Sequence, residues 1–313
     1  MSIIEKAAGK LSVPPAPAPR TDAESPPRES VIEGAVRRSR EAPAAAPMDD
    51  PATIWGSAGD DEGRARSQVQ PVNMARLAHM GFITQDSEKS QAAEEFRIIK
   101  RPLIANAFGL GTARVKNGNL IMVTSALPGE GKTYCAINLA ISMAMEMERT
   151  VLLVDADVAR PRVPEYLGLQ ADRGLLDVLR EKDLKLSDLL IRTDIAKLTV
   201  LPAGRTYKRA TELLASSAMT QLVEDIGNRY PDRIIVFDSP PLLATSEAGV
   251  LASHMGQIVL VVEAERTPQE AVREALNHVQ SCEVVNLLLN KATPTPGSDY
   301  YYGYYGSYGS YGK

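Results

Sequence analysis

NLIMVTSALPGEGKTYCAINLA, residues 119–140, is the stretch whose reading decides the fold. NLIMVTS is a short, nearly continuous apolar run. Ala136, Leu139, Ala140 and Met143 then recur at helical spacing. Between the two lies SALPGEGKT. A strand that enters a glycine-containing turn and opens a helix is the context a phosphate-binding loop needs. Gly129 and Gly131 let the backbone curl so that its N–H groups face phosphate oxygens, and the helix N-terminus adds positive potential. The expected cradle is Pro128, Gly129, Glu130, Gly131, Lys132, Thr133 and Tyr134. In it, Lys132 reaches the β- and γ-phosphates and the Thr133 hydroxyl binds Mg²⁺. Ala126 departs from the general G-x-x-x-x-G-K-[ST] pattern, standing where the first glycine belongs.

Outward from this loop, TVLLVD, KLTVLP, RIIVFD, QIVLVVE and VVNLLLN repeat the apolar-run pattern, and helix-length segments separate most of them. Runs without polar alternation describe strands buried on both faces. Alternation with helices predicts a doubly wound, mostly parallel α/β sheet of the P-loop NTPase kind, with the ligand at the carboxyl ends of the strands. Two runs end in acids. TVLLVDADVARPR places Asp155 and Asp157 at one strand end, and RIIVFDSPP places Asp238 at another. Acids there, beside a phosphate loop, are Mg²⁺ partners, and one of Asp155 and Asp157 can take a proton from an attacking hydroxyl. Each alone reads equally as a cap or turn residue. Three together make Lys132, Asp155, Asp157 and Asp238 the catalytic candidates. Thr133 joins the three aspartates as the metal candidates.

Other sites do not fit. GLGTAR at 109–114 lacks the last glycine of a dinucleotide motif and precedes a strand. No H-R-D or D-F-G is present, which excludes a eukaryotic-type kinase. His79, His254 and His278 are scattered without metal-ligand spacing.

The 313 residues are 44% hydrophobic and 24% charged, with net charge −4. That mild acidity argues against phosphate-driven nucleic-acid binding. Cys135 and Cys282 cannot make a disulfide framework and suit a reducing cytoplasm. No apolar run approaches membrane length. The opening MSIIEKAAGKL is not a secretory signal and reads as a short amphipathic helix or a frayed terminus. Ten of 21 prolines precede residue 72, and PPAPAP and EAPAAAP read as linker, so residues 1–86 are expected to be a short helix plus flexible chain. Trp55 within it reads as an incidental exposed aromatic or a docking anchor. Order is expected from Ser87, giving a P-loop domain over 87–292 of about 200 residues. A first helix carries Phe96, Ile99 and Leu103, with a kink or break expected at Pro102. Residues 293–313 hold seven of the 11 tyrosines with glycine and serine, and read as a flexible tail.

Taken together, SALPGEGKT, VLLVDADVARP, IIVFDSPPLL, LPAGRTYKRATELLAS and the Tyr-rich tail resemble the bacterial tyrosine autokinases of exopolysaccharide and capsule biosynthesis. MSIIEKAAGKL and NGNLIMVTSALPGEGKT resemble an exosortase-linked subgroup. The resemblance implies a Mg²⁺- and ATP-dependent protein-tyrosine kinase that phosphorylates Tyr300, Tyr301, Tyr302, Tyr304, Tyr305, Tyr308 and Tyr311. It implies that Glu94, Arg97 and Lys100, three apart and read as one helix face, match an E-x-x-R-x-x-R pattern joining protomers into a ring. Lys100 replaces the last arginine and loses bidentate pairing. Arg160 falls in the D-x-x-R-P portion, facing phosphate or the neighbouring protomer. The implied setting is cytoplasmic, peripheral at the inner membrane. The implied partners are a membrane polysaccharide co-polymerase (chain-length determinant) and a tyrosine phosphatase. Two alternatives stand beside this reading. One is an ATPase of the ParA and MinD type, whose signature lysine position is Leu127 here. The other is a non-catalytic ATP-binding scaffold.

Overall fold

A computed structural model describes residues 69–293, apart from 88–89, 110–114, 182 and 231. Its sheet is built from β1 (Leu120–Ser125), β2 (Thr150–Asp155), β3 (Ile191–Arg192), β4 (Leu198–Leu201), β5 (Arg233–Asp238), β6 (Gln257–Glu263) and β7 (Val284–Asn290). The spatial order is β3-β4-β2-β5-β1-β6-β7. Every neighbouring pair is parallel except β3 with β4. Every apolar run thus becomes the strand it predicts. Only the two-residue β3 has no signal in the sequence, being too short to carry a period.

All residues of β1 and β5 are buried, as continuous apolar runs require at the centre of a covered sheet. VVNLLLN differs. It forms an edge, and Leu287 and Leu289 are 59% and 63% exposed. An apolar run reports strand formation but not whether a neighbour covers both faces.

Helices flank the sheet: α1 (Met74–His79), α2 (Gln91–Phe108), α3 (Lys132–Ala144), α4 (Val163–Leu167), α5 (Leu175–Arg180), α6 (Ala210–Leu214), α7 (Ser217–Arg229), α8 (Glu247–Ala252) and α9 (Gln269–Asn277). α3 is sheathed on nearly all sides, with Cys135 through Ala144 buried. It shares one apolar cluster with sheet residues such as Val123 and Val236 and with Phe96 and Leu103 of α2. Burial pushes the Cys135 thiol up to about 12. Both cysteines are free and buried. No helix of the described residues is long and apolar enough to cross a membrane.

Three expectations need correction. Within the flexible chain expected over 1–86, residues 72–83 are instead part of the fold. Val72, Leu77, Phe82 and Ile83 are buried in the same core as α3. The Ile83 N–H donates to Asn138 Oδ1 at 2.7 Å. These apolar residues are too irregularly spaced among polar ones to advertise a period, and their burial depends on a surface formed far along the chain. Next, of the kink or break expected at Pro102, the break does not occur: α2 runs as one helix from Gln91 to Phe108 with Pro102 inside it.

The third correction concerns Lys100. Its side chain is only 7% exposed, and Nζ donates to Ser142 O at 2.6 Å and pairs with Glu146 Oε1 at 2.7 Å. The buried positions of α2 are Ala93, Phe96, Lys100, Leu103 and Ala107. At 3.6 residues per turn each three-residue step falls back by about 60°, so Lys100 sits about 120° round from Glu94. It has rotated into the protomer, at the C-terminal turn of α3. Glu94 and Arg97 remain on the exposed face, paired with one another. The proposed short helix at residues 1–11, Trp55 and the seven tail tyrosines lie outside the described residues.

Candidate active site

The loop between β1 and α3 turns on two glycines with left-handed backbone. Gly129 has φ 91° and Gly131 has φ 95°, conformations that cost L-residues energy. At Gly131 the need is also spatial, because a Cβ would lie 2.1 Å from Asn290 Nδ2.

The order β2-β5-β1 sets the strand ends carrying acids beside this loop. Asp155 and Asp238 are register partners at the ends of β2 and β5. Both are fully buried, and Asp157 is 4% exposed. Lys132 Nζ lies 2.5 Å from Asp157 Oδ2 and 4.0 Å from Asp238 Oδ1. Asp155 Oδ2 accepts the Val163 N–H at 3.0 Å, and Asp157 Oδ1 accepts the Arg160 N–H at 3.1 Å. The four predicted catalytic residues thus converge.

Three carboxylates around one ammonium is an excess of buried negative charge. Burial first, then the Asp238 charge, raises the Asp155 carboxyl well above the usual range, against the Val163 N–H. Burial pushes Asp238 up to about 6, although Lys132 and the nearby Thr133 hydroxyl oppose it. Asp155 Oδ1 and both Asp238 oxygens are buried without a hydrogen-bond partner. Orphaned carboxylate oxygens of this kind call for a cation or a donor.

A cleft of about 510 Å³ opens onto this cluster. It is lined by residues that include Pro128, Gly129, Gly131, Lys132, Thr133, Tyr134, Asp157, Arg160, Arg162, Tyr166, Pro240 and Pro241. Among the described residues no three His, Cys, Asp or Glu side chains form a metal cage by themselves.

Two members of the expected cradle do something else with their side chains. The Glu130 carboxylate is buried. Oε2 accepts the Leu127 N–H at 2.6 Å and Oε1 accepts from the Thr267 hydroxyl. The side chain therefore braces the loop from within. Tyr134 donates from its hydroxyl to Gly81 O at 2.8 Å, and its ring packs on Phe82 at 4.8 Å. It ties the loop to the 69–86 segment.

Sequence reasoning passed over the residues that hold the loop from its other side. Asn290 Nδ2 donates to Glu130 O at 2.8 Å, and Lys291 Nζ to Gly129 O at 2.8 Å. Lys291 also pairs with Glu263 Oε2 at 3.1 Å, and that bond holds the Glu263 carboxyl below its usual range. Asn and Lys immediately after VVNLLL were the available signal, since polar residues closing a strand at the ligand end of such a sheet meet the site.

The chain is similar to several known proteins. Residues 118–291 match the model of an AAA domain. The chain is 30% identical over 234 residues to tyrosine-protein kinase YwqD of Bacillus subtilis, covering 74% of this chain and 94% of that one. It is 30% identical to putative tyrosine-protein kinase CapB of Staphylococcus aureus, covering 69% and 92%. It is 29% identical to tyrosine-protein kinase wzc of Salmonella typhimurium, where it spans 33% of the longer protein. The solved VpsO kinase domain superimposes with TM-score 0.55 at 28% identity, over 67% of this chain and all of that one. With its P-loop, its two acidic strand ends and these relatives, the chain belongs to the bacterial tyrosine-protein kinase family.

Proposed function

We propose that this protein transfers the γ-phosphoryl group of Mg-ATP to tyrosines of its own tail, Tyr300, Tyr301, Tyr302, Tyr304, Tyr305, Tyr308 and Tyr311, on a neighbouring copy. The observation that carries the reading is the pairing of Lys132 with Asp157 above two buried carboxylates with unpartnered oxygens. Lys132 releases Asp157 when phosphate oxygens compete for its ammonium, and it then opposes the charge that grows in phosphoryl transfer. Asp155 and Asp238, with Thr133, would hold the Mg²⁺. The metal supplies charge neutralisation of the phosphates. Asp157 lines the cleft while the other two lie beneath it, so it is the carboxylate that meets an incoming phenol.

The tail follows β7, whose end touches the P-loop through Lys291. From Thr293 to Tyr300 the chain spans at most roughly 25 Å, enough to enter a cleft in its own or an adjacent protomer. The Glu94–Arg97 face is the proposed ring contact. A relative such as ExoP of Rhizobium meliloti is named a succinoglycan biosynthesis transport protein. That likeness supports a role in exopolysaccharide production, with a membrane co-polymerase as recruiter, a phosphatase to reset the tail, and a place at the inner membrane through that partner. The exosortase-linked placement rests on the MSIIEKAAGKL and NGNLIMVTSALPGEGKT resemblance.

Incubation of the full chain with ATP and Mg²⁺, followed by phosphotyrosine mapping, tests the reading. Phosphate on the tail that disappears in Lys132→Met supports it. ATP hydrolysis without phosphotyrosine makes the protein a ParA-type ATPase. Nucleotide binding without turnover makes it a scaffold.

A further inference from the structure

We infer that Asn290 and Lys291, at the carboxyl end of β7, are positioning residues that aim the amides of the P-loop at the phosphates of the nucleotide. The inference rests on the nucleotide reading of the site given above. Lys291 Nζ holds Gly129 O, and Asn290 Nδ2 holds the next carbonyl, Glu130 O, each at 2.8 Å. The described chain has no cis peptide. In a planar trans peptide the carbonyl and the following N–H point in opposite directions. Two consecutive carbonyls drawn toward β7 therefore turn the N–H groups of Glu130 and Gly131 away from β7. In the sheet order, β6 and β7 lie on one side of β1, while β5 and β2, which carry Asp238 and Asp155, lie on the other. The two peptide dipoles are thus turned toward the side that holds Lys132 and the acidic cluster.

The brace is itself held in place. Lys291 is anchored by Glu263 Oε2. The Thr267 hydroxyl accepts the Glu263 N–H at 3.1 Å and donates to the Glu130 carboxylate. Asn290 fills the space that Gly131 leaves, since any Cβ there would collide with its amide. Lys291 and Glu265 both carry left-handed backbone, with φ 57° and 60°. Non-glycine residues keep such conformations only where surrounding contacts impose them, and these cluster at functional sites. A loop fixed before the nucleotide arrives spends no binding energy on ordering itself.

The test uses the full chain and Mg-ADP as probe, with the dissociation constant measured by titration calorimetry and folding followed by thermal melts. Asn290→Ala and Lys291→Met are each expected to weaken Mg-ADP roughly tenfold in protein that is still folded. Lys291→Arg, which keeps a donor and the charge, should restore most of the loss. The KM for ATP should rise more than kcat falls, as expected when ground-state and transition-state binding are lost together. Unchanged Mg-ADP affinity in folded variants overturns the proposal, because a merely structural brace would lower the melting temperature and leave affinity alone. A loss confined to the Lys291 variants also overturns it, since the bare charge would then be responsible and not the aimed peptides. If wild type binds no Mg-ADP, the nucleotide reading itself falls, and the positioning role with it.

Discussion

Lys132 Nζ sits 2.5 Å from Asp157 Oδ2, so in the protein alone the cation of the P-loop is held by the carboxylate that faces the cleft. The pair is largely desolvated, with side-chain exposures of 11% and 5%. Lys132→Met is expected to cut tail phosphorylation by about 10²–10³, the scale of a lost electrostatic stabiliser, with the fold retained. Phosphotyrosine formation measured on folded protein checks this, and an unchanged rate removes Lys132 from the chemistry. Asp157→Asn should be comparably slow and should not respond to added Mg²⁺. Asp155→Asn should be partly rescued by it.

Asp238 gives a pH signature. Its folded-state value is raised to about 6 by burial, against about 3.9 for an unfolded aspartate. The native state therefore binds more protons between those values, and the nucleotide-free protein loses stability as pH rises through about 6. Asp238→Asn removes that cost. The variant should melt a few degrees higher than wild type at pH 7, with the gap closing toward pH 4, and it should be inactive. Melting curves across pH check the sign, and a variant that melts lower at pH 7 contradicts it.

Lys100 and the Glu94–Arg97 pair should behave as opposites. Lys100→Ala removes a buried ammonium from Ser142 O and Glu146 and should cost about 1–3 kcal/mol of stability, visible as a lower denaturation midpoint. Glu94→Ala with Arg97→Ala touches an exposed pair worth about 0–1 kcal/mol. It should leave the midpoint nearly alone but shift unphosphorylated protein to smaller species in light scattering. An unchanged mass leaves these residues as a solvated helix face.

A chain that begins at Ser87 should fold poorly. It lacks Val72, Leu77, Phe82 and Ile83, all buried against α3 and its neighbours. Each is worth about 1.5–3 kcal/mol of burial, a sum comparable to the whole stability of a domain. A chain that begins at Gln70 keeps all four of these residues and should melt well above the Ser87 chain. Equal melting of the two shortened chains would show that the segment contributes nothing to the fold.

Mixing decides whether tail phosphorylation passes between protomers. Lys132→Met protein combined with a chain lacking residues 299–313 should acquire phosphate on the tail of the mutant. If it never does while wild type still autophosphorylates, each tail serves its own site. Three phosphates per tail would add roughly −5 charge at neutral pH, so phosphorylated protein should also sediment as smaller species.

By itself the sequence determined the P-loop, the strand runs and the acidic strand ends, because these are local. NLIMVTS carries its strand signal within seven residues, GEGKT its turn, and Asp155 and Asp238 end their own runs. What only the tertiary structure decided depends on which distant surface a residue meets. Lys100 turned inward because α3 ends beside α2. Val72, Leu77, Phe82 and Ile83 packed because α3 and its neighbours offered them apolar surface. Glu130 became a brace because Thr267 arrived from the loop after β6. Asn290 and Lys291 reached the P-loop because parallel strands bring their carboxyl ends to one edge of the sheet. For a contact across 160 residues, such as Asn290 to Glu130, the polar close of VVNLLL points to the site but names no partner. The contact exists only once the strand order is set.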